Sequence, residues 1–493
     1  MHCPSKKEFI RLSKKANIVP VYREIVADLT TPVSVYLKVR EKYSYLLESV
    51  EGEEKIARFS FIGIRPSLVF KSKGDAIEII RNSRKERIKG DPFKKISDIM
   101  RCFKPATVKG MPRFSGGFVG FIGYDMVRFI EKLPDKNPDS LNIEDIVLVM
   151  ADTCIIFDHF AHRIKIVANT YIGKSRSSKS LDRIYNNALK EIDKIVKKLS
   201  SSPAEQRKKK KKRATHRIKS NFTKHEFESV VRKIKEYIRK GDIIQAVPSQ
   251  RFYTALNCDT IDVYRALRSI NPSSYMYYLD FDDIKIIGAS PELLVRCENG
   301  KVETRPIAGT RPRGSDEAED ERLAKELLRD PKERAEHVML VDLGRNDIGK
   351  VCRAGSVKVD NFMFVEKYSH VMHIVSNCVG YLKKGKDVYD VLRATFPAGT
   401  VTGAPKIRAM EIIDELENTR RGPYAGAVGY FSFSGNMDTC INIRTIVVKS
   451  KNAYIQAGAG IVADSVPSNE YRETVNKAKA MIKAIEIAER GLE

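Results

Sequence analysis

The chain has 493 residues, too many for one ordinary core, so two large lobes are expected. Its 42% hydrophobic content is that of a globular protein, and no apolar run approaches the ~18–20 residues of a membrane-spanning helix. Against 63 acidic residues stand 88 basic ones, and the net charge of +25 raises the question of a nucleic-acid partner.

Residues 1–200 read as the N-terminal lobe, mixed α/β over 1–170. The first residues are basic without an apolar core segment, so they do not read as a secretory signal. Eight cysteines without a CxxC pair argue against a zinc site or a disulfide framework and fit a reducing cytoplasm. The glycine-rich run Ser115–Gly123 suggests close backbone packing but lacks a dinucleotide-binding fingerprint. Strand-like runs follow at Ile146–Met150 and Cys154–Phe157. Leu181, Ile184, Tyr185, Ala188, Ile192, Ile195 and Leu199 recur at helical spacing and predict a helix over 181–199 capped by Ser180. A polar linker over 201–222 carries the basic run Arg207–Arg213. With no interleaved aromatics and no nucleic-acid fold motif, it reads as a solvated loop, so nucleic acid is not the expected partner. A polyanion patch is the alternative.

The second lobe, 223–490, opens with a capping box at Thr223 and Glu226 and a helix stopped by Gly241. A strand at Ile243–Val247 holds the polar Gln245, whose burial would demand hydrogen-bond partners. Further strands are expected at Tyr275–Phe281, Ile284–Ala289, Tyr430–Ser434, Ile441–Val448 and Ala453–Ala457. The order is no βαβ repeat; it predicts an α+β fold with largely antiparallel sheets flanked by helices.

Chemistry concentrates in this lobe. A tight turn, Pro306-Ile-Ala-Gly-Thr310, precedes a helix with Asp330 as N-cap and Pro331 at its first position. Glu333 and Glu336 share one face of that helix, and Glu470 and Glu473 do the same after Pro467. Any one of these could be a solvated surface residue, but two such helices supply the hard oxygen ligands that Mg²⁺ prefers. Gly458-Ala459-Gly460 ends a strand and could offer backbone N–H groups to a carboxylate. Arg444 could fork onto a carboxylate or form a structural ion pair, and Tyr424 sits at a loop-to-strand junction. No GxSxG, P-loop or catalytic-cysteine signature is present.

The segments PIAGT, EHVMLVDLGRNDIG, FPAGTVTGAPKIRAM, YAGAVGYFSFSGNMDTCINIRT, QAGAGIVADSVP and NEYRETVNKAKAM resemble, in the same order, those of the chorismate-utilising enzymes. They are most similar to the large-subunit (component I) family of anthranilate synthases. The resemblance implies that Glu336 and Glu473 bind Mg²⁺, with Glu333 and Glu470 behind them or acting through water. It implies chorismate contacts from Gly309, Thr310, Gly458, Ala459 and Gly460, and a carboxylate clamp of Tyr424 and Arg444. Glu292 is similar to the family's general acid, and His373, Thr400 and Lys477 match further active-site positions. Ala308 stands where covalent aminodeoxychorismate synthases carry a nucleophilic lysine. Gln245 stands where isochorismate and salicylate synthases carry the lysine that activates water. The expected reaction is therefore conversion of chorismate and ammonia to anthranilate and pyruvate, the first committed step of tryptophan biosynthesis, with the other two reactions as alternatives.

Tyr45-Leu-Leu-Glu-Ser49 resembles the family's tryptophan-binding segment, which implies a regulatory site of Glu48, Ser49, Ser274, Tyr275 and Met276 and feedback inhibition. Ser274 departs from the usual proline, and Gln250 from the usual arginine. No glutaminase signature is present, so a separate glutamine amidotransferase subunit is the expected ammonia source.

Overall fold

The computed structural model describes residues 2–49, 58–82, 84–173, 176–201, 218–368 and 371–492; the basic run at 207–213 lies outside them. Two twelve-stranded sheets pack face to face, and helices cover the outer side of each. The strand Tyr275–Phe281 shows how the sequence produces this layering. Tyr277, Leu279 and Phe281 enter the cluster between the sheets, while Met276 and Tyr278 face the outer helices. Successive side chains alternate in direction, and burial on both faces makes the run continuously apolar.

Helices Ser178–Ser200, Thr260–Ile270 and Pro467–Glu489 cover the first sheet through Tyr185, Tyr264 and Met481. Helices Pro92–Arg101, Pro331–Gly349 and Val388–Thr395 cover the second through Phe93, Val341 and Leu392. The α+β expectation with antiparallel sheets holds. Each sheet, however, takes strands from both sides of the 201–222 segment. In the first, Ser44–Glu48 pairs antiparallel with Tyr275–Phe281, Glu48 opposite Met276. In the second, Gly117–Ile122 pairs with Ala427–Ser432, Gly120 opposite Gly429. The described end of that segment itself adds the edge strand Lys219–Ser220 to the first sheet.

Several local expectations change. The helix expected over 181–199 runs from Ser178 to Ser200, and its cap is Ser177, whose hydroxyl accepts from the Ser180 amide. The Thr223–Glu226 capping box forms as read. The strand expected at 243–247 is only Gln245–Ala246, because its partner, Gly403–Ala404, is itself two residues long. The strand expected at 430–434 runs over Ala427–Ser432. The run expected as one strand over 441–448 is two, Met437–Ile441 in the second sheet and Thr445–Lys449 in the first.

One buried ion pair fastens the loops around these crossings. Arg421 (2% exposed) and Glu417 (6%) meet at 2.7 Å. Arg421 also donates to the carbonyls of Val401 (2.7 Å) and Val247 (2.6 Å), and its guanidinium lies 4.8 Å from the centre of the Tyr124 ring. The Ser249 amide and hydroxyl both donate to Glu417 Oε1, at 2.8 and 2.7 Å. Removing one partner of such a pair strands the other charge in a low dielectric. Glu417→Ala should therefore destabilise the protein by roughly 3–5 kcal/mol, seen as a lower denaturant midpoint, and replacing both partners by apolar residues should cost less.

Candidate active site

The chain leaves the first sheet at Ser290 and enters the second at Leu293, and Glu292 lies in that crossing. It returns between Ile441 and Thr445, with Arg444 in the return. The two crossings are bonded side by side: the Ile441 amide donates to the Glu292 carbonyl at 3.0 Å, and the Ala289 amide to the Arg444 carbonyl at 3.1 Å. Arg444 itself adopts φ +53°, a left-handed conformation that costs a non-glycine residue free energy.

Burial raises the Glu292 carboxyl to about 7, against the lowering effects of the Thr400 hydroxyl and the Lys477 ammonium. The Thr400 hydroxyl is buried and has no other partner among the described residues. Lys477 pairs with Glu473 at 2.6 Å and donates to the Gly458 carbonyl at 3.1 Å. Arg444 donates to the Lys477 carbonyl at 3.0 Å. Burial lowers the pKa of its guanidinium, while Tyr424 and Glu473 raise it. Burial pushes the Tyr424 phenol up to about 12, so it stays a donor at neutral pH.

His373 meets the Gly309 carbonyl through Nδ1 at 2.8 Å, which assigns the proton to Nδ1 and leaves Nε2 as the acceptor. Burial depresses its pKa, the Gly309 bond opposes, and the charge of Arg444 depresses it further, so the imidazole is neutral. The expected tight turn at 306–310 is instead part of a strand, Ile307–Pro312, with a bulge between Ala308 and Thr310. Gly309 has φ +68°, and a Cβ there would stand 3.1 Å from both Glu333 Oε2 and Leu327 Cδ1. A further helix, Glu317–Arg329, separates this strand from the Glu336 helix, which the sequence reading placed directly after it.

Charges on the two carboxylate helices act on one another, Glu473 on Glu336 and Lys332 on Glu470. Burial raises the Glu336 carboxyl, the Gln245 amide opposes, and Glu333 and Glu473 raise it further. Burial likewise raises Glu470; Ser465 opposes and Glu473 adds. Gln245 Nε2 donates to Glu336 Oε1 at 3.3 Å, and among the described residues no donor meets the buried Gln245 Oε1. Glu333 pairs with Arg311 at 3.3 Å. Among the described residues no three acidic, histidine or cysteine side chains enclose a metal by themselves. A cation that takes one or two carboxylates and fills its shell with water and an anionic ligand still fits, since mutual repulsion across the helices calls for positive charge. Gly458 and Gly460 flank Ala459, whose amide is already donated to the Pro248 carbonyl at 3.1 Å, so that amide is not available to a ligand.

A cavity of about 60 Å³ between the sheets is lined by all five residues of the expected regulatory set, Glu48, Ser49, Ser274, Tyr275 and Met276. Glu48 accepts from Tyr264 and, at 3.1 Å, from Arg268. Sequence reading missed Arg113, Arg296 and Asp438 there. Asp438 accepts from Tyr275 at 3.0 Å and Arg296 at 3.0 Å and pairs with Arg113 at 3.2 Å. These side chains come from distant strands, and no local motif marks them. The Arg421–Glu417 pair was missed too, although Arg421 lies only three residues before Tyr424.

This geometry accords with what the chain is similar to. Residues 42–483 match the model of the chorismate binding enzyme family, and the chain belongs to that family. Anthranilate synthase component 1 of Aquifex aeolicus is 51% identical over 99% of each chain, and that of Acetivibrio thermocellus 49% identical over 99% of each. The crystal structure of anthranilate synthase component I from Streptococcus pneumoniae aligns with a TM-score of 0.76 at 39% identity, covering 93% of this chain and 98% of that one. The menaquinone-specific isochorismate synthase of Escherichia coli shares the fold at a TM-score of 0.70, with 18% identity over 98% and 99% of the two chains.

The raised Glu292 carboxyl can be checked directly. Carboxyl infrared or ¹³C-glutamate spectra should show one group that is protonated below pH of about 7 and ionises above it, and that signal should vanish in Glu292→Gln.

Proposed function

We propose that the chain is the chorismate-converting subunit of an anthranilate synthase, joining ammonia to chorismate and releasing anthranilate and pyruvate. The observation that carries this choice among the family's reactions is the amide of Gln245 beside Glu336, at a place where activation of water would need a base. Ala308, buried in its strand, removes a lysine nucleophile from the other alternative.

In this reading Glu336 and Glu473 hold a Mg²⁺ ion, which when bound fixes the ring carboxylate and withdraws charge from the ring. Tyr424 and Arg444 hold the enolpyruvyl carboxylate by a hydroxyl donor and a guanidinium. Protonated Glu292 gives its proton to the C4 hydroxyl, which leaves as water while ammonia nitrogen bonds to C2. The C2 nitrogen sheds a proton, and Glu292 is reprotonated from solvent. Neutral His373 then takes the C2 hydrogen at Nε2, the C3–O bond breaks, and the enolpyruvyl methylene gains a proton to leave as pyruvate. The ammonia comes from glutamine on a separate amidotransferase subunit. That partner role rests on the component numbering of the relatives and on the missing glutaminase signature. No helix among the described residues is long and apolar enough to cross a membrane. Work in the cytoplasm belongs to the same reading, supported by eight free thiols.

Tryptophan is the inhibitor, bound in the cavity between the sheets. Its support is an apolar wall of Leu47, Phe59, Phe61 and Met276 with acidic and basic groups at hand for an ammonium and a carboxylate.

With chorismate, Mg²⁺ and ammonium, the isolated chain should form fluorescent anthranilate and an equal amount of pyruvate, and glutamine alone should give neither. Glu336→Gln and Glu473→Gln should each lose at least ~100-fold in turnover. A product of isochorismate or aminodeoxychorismate would refute the assignment. Tryptophan at high micromolar concentration should inhibit the parent but spare Ser49→Phe, whose ring fills the cavity; equal inhibition of both would remove the regulatory reading.

A further inference from the structure

One hydroxyl links the cavity between the sheets to the return crossing that carries Arg444. Tyr277 lines the cavity with its ring and reaches past it with its phenol. That phenol donates to Asn442 Oδ1 at 3.1 Å and lies 2.7 Å from Thr445 Oγ1. Asn442 and Thr445 bracket Ile443 and Arg444, the return crossing that carries the guanidinium of the site. Thr445 Oγ1 donates in turn to the Ile443 carbonyl at 2.8 Å, so the single phenol proton serves either Asn442 Oδ1 or Thr445 Oγ1.

The same crossing holds the other half of the clamp. The Ala425 amide donates to the Asn442 carbonyl at 3.0 Å, and the Asn442 amide donates to the Gly426 carbonyl at 2.8 Å. Tyr424 immediately precedes that loop. Ala425 has φ +63° and Arg444 φ +53°, so each of the two facing loops contains a non-glycine residue in the left-handed region. Such residues persist only where their surroundings over-determine them, and they are the first to relax when a supporting bond shifts. The Tyr277 ring has little room to move alone: a Cβ on Gly288 of the neighbouring strand would stand 2.1 Å from it. A ligand pressing on the ring therefore acts on the hydroxyl end.

We infer that Tyr277 is a positioning residue for the substrate clamp: its hydroxyl sets the 442–444 crossing, through which occupation of the inter-sheet cavity changes the grip of Arg444 and Tyr424 on chorismate. This rests on the proposed assignment of the two ligands to the two sites. The coupling is reciprocal, so chorismate must weaken tryptophan binding by the factor by which tryptophan weakens chorismate binding.

Calorimetric titration of tryptophan into the full chain, with and without saturating chorismate and Mg²⁺ and with ammonia withheld, measures that factor. The parent should show at least a ~5-fold loss of tryptophan affinity on adding chorismate. Tyr277→Phe keeps the ring in the cavity and removes only the hydroxyl. It should bind tryptophan alone within about threefold of the parent, show a coupling factor below about two, and raise KM for chorismate with kcat little changed. Thr445→Val, which removes one partner of that hydroxyl, should lower the coupling in the same direction. Coupling in Tyr277→Phe equal to the parent's would overturn the inference while leaving both ligand assignments intact. A parent that binds no tryptophan would overturn the ligand assignment and the inference with it.

Discussion

The buried pair of Arg421 and Glu417 is the constraint on which the site's geometry rests. Taking both charges out of water is costly, and the cost is offset only because nearly every hydrogen-bonding position is filled. Its partners belong to three otherwise separate segments: Val247 and Ser249 beyond the Gln245 strand, Val401 beside Thr400, and Tyr424, whose ring centre lies 5.5 Å from the Arg421 guanidinium. Gln245, Thr400 and Tyr424 thus take their places from one planar group. A hydrophobic substitute of the same volume could fill the space but could not fix two carbonyls and a carboxylate at once.

The second organising feature is where the chain changes sheets. A residue inside a strand faces either the inter-sheet layer or the outer helices, and away from the cavity around Glu48 and Tyr275 both are packed with apolar side chains. Glu292 and Arg444 avoid both because each lies in a crossing, where the backbone turns away from the ladder. There a carboxyl can be buried enough to hold its proton near neutrality, and a guanidinium can stand beside a phenol and a carboxylate without a saturating ion pair. The fold thus makes reactive environments out of topology rather than out of long loops.

Much of this was legible in the residues, and the failures share a cause. Capping chemistry is local, so Thr223 and Asp330 marked their helices correctly. The motif residues were recognisable because their order along the chain resembles the family's. The 437–449 region misled because Ile441-Asn-Ile-Arg444 alternates apolar and polar residues at a strand's period straight through the crossing. The 306–310 turn misled for a related reason, because Gly309 marks a bulge as readily as a turn and only the pairing with Val371–Tyr381 decides between them. Apolar periodicity starts at Leu181 and points to Ser180 as the cap, whereas the helix starts a turn earlier on polar residues, capped by Ser177. Asp438, Arg296 and Arg113 could not be assembled from sequence, as their meeting depends on register between strands far apart along the chain.

The two seams, Glu48 opposite Met276 and Gly120 opposite Gly429, carry a consequence for biosynthesis. As the chain emerges from the ribosome, Ser44–Glu48 and Gly117–Ile122 each present one unpaired edge until their distant partners have been made. Contacts of such long sequence separation form slowly, and open strand edges are templates for aggregation. The first half is therefore a nascent chain with two sticky borders rather than a module that folds first and waits, and its safe passage depends on how quickly translation delivers the second half or on a chaperone that shields the edges meanwhile.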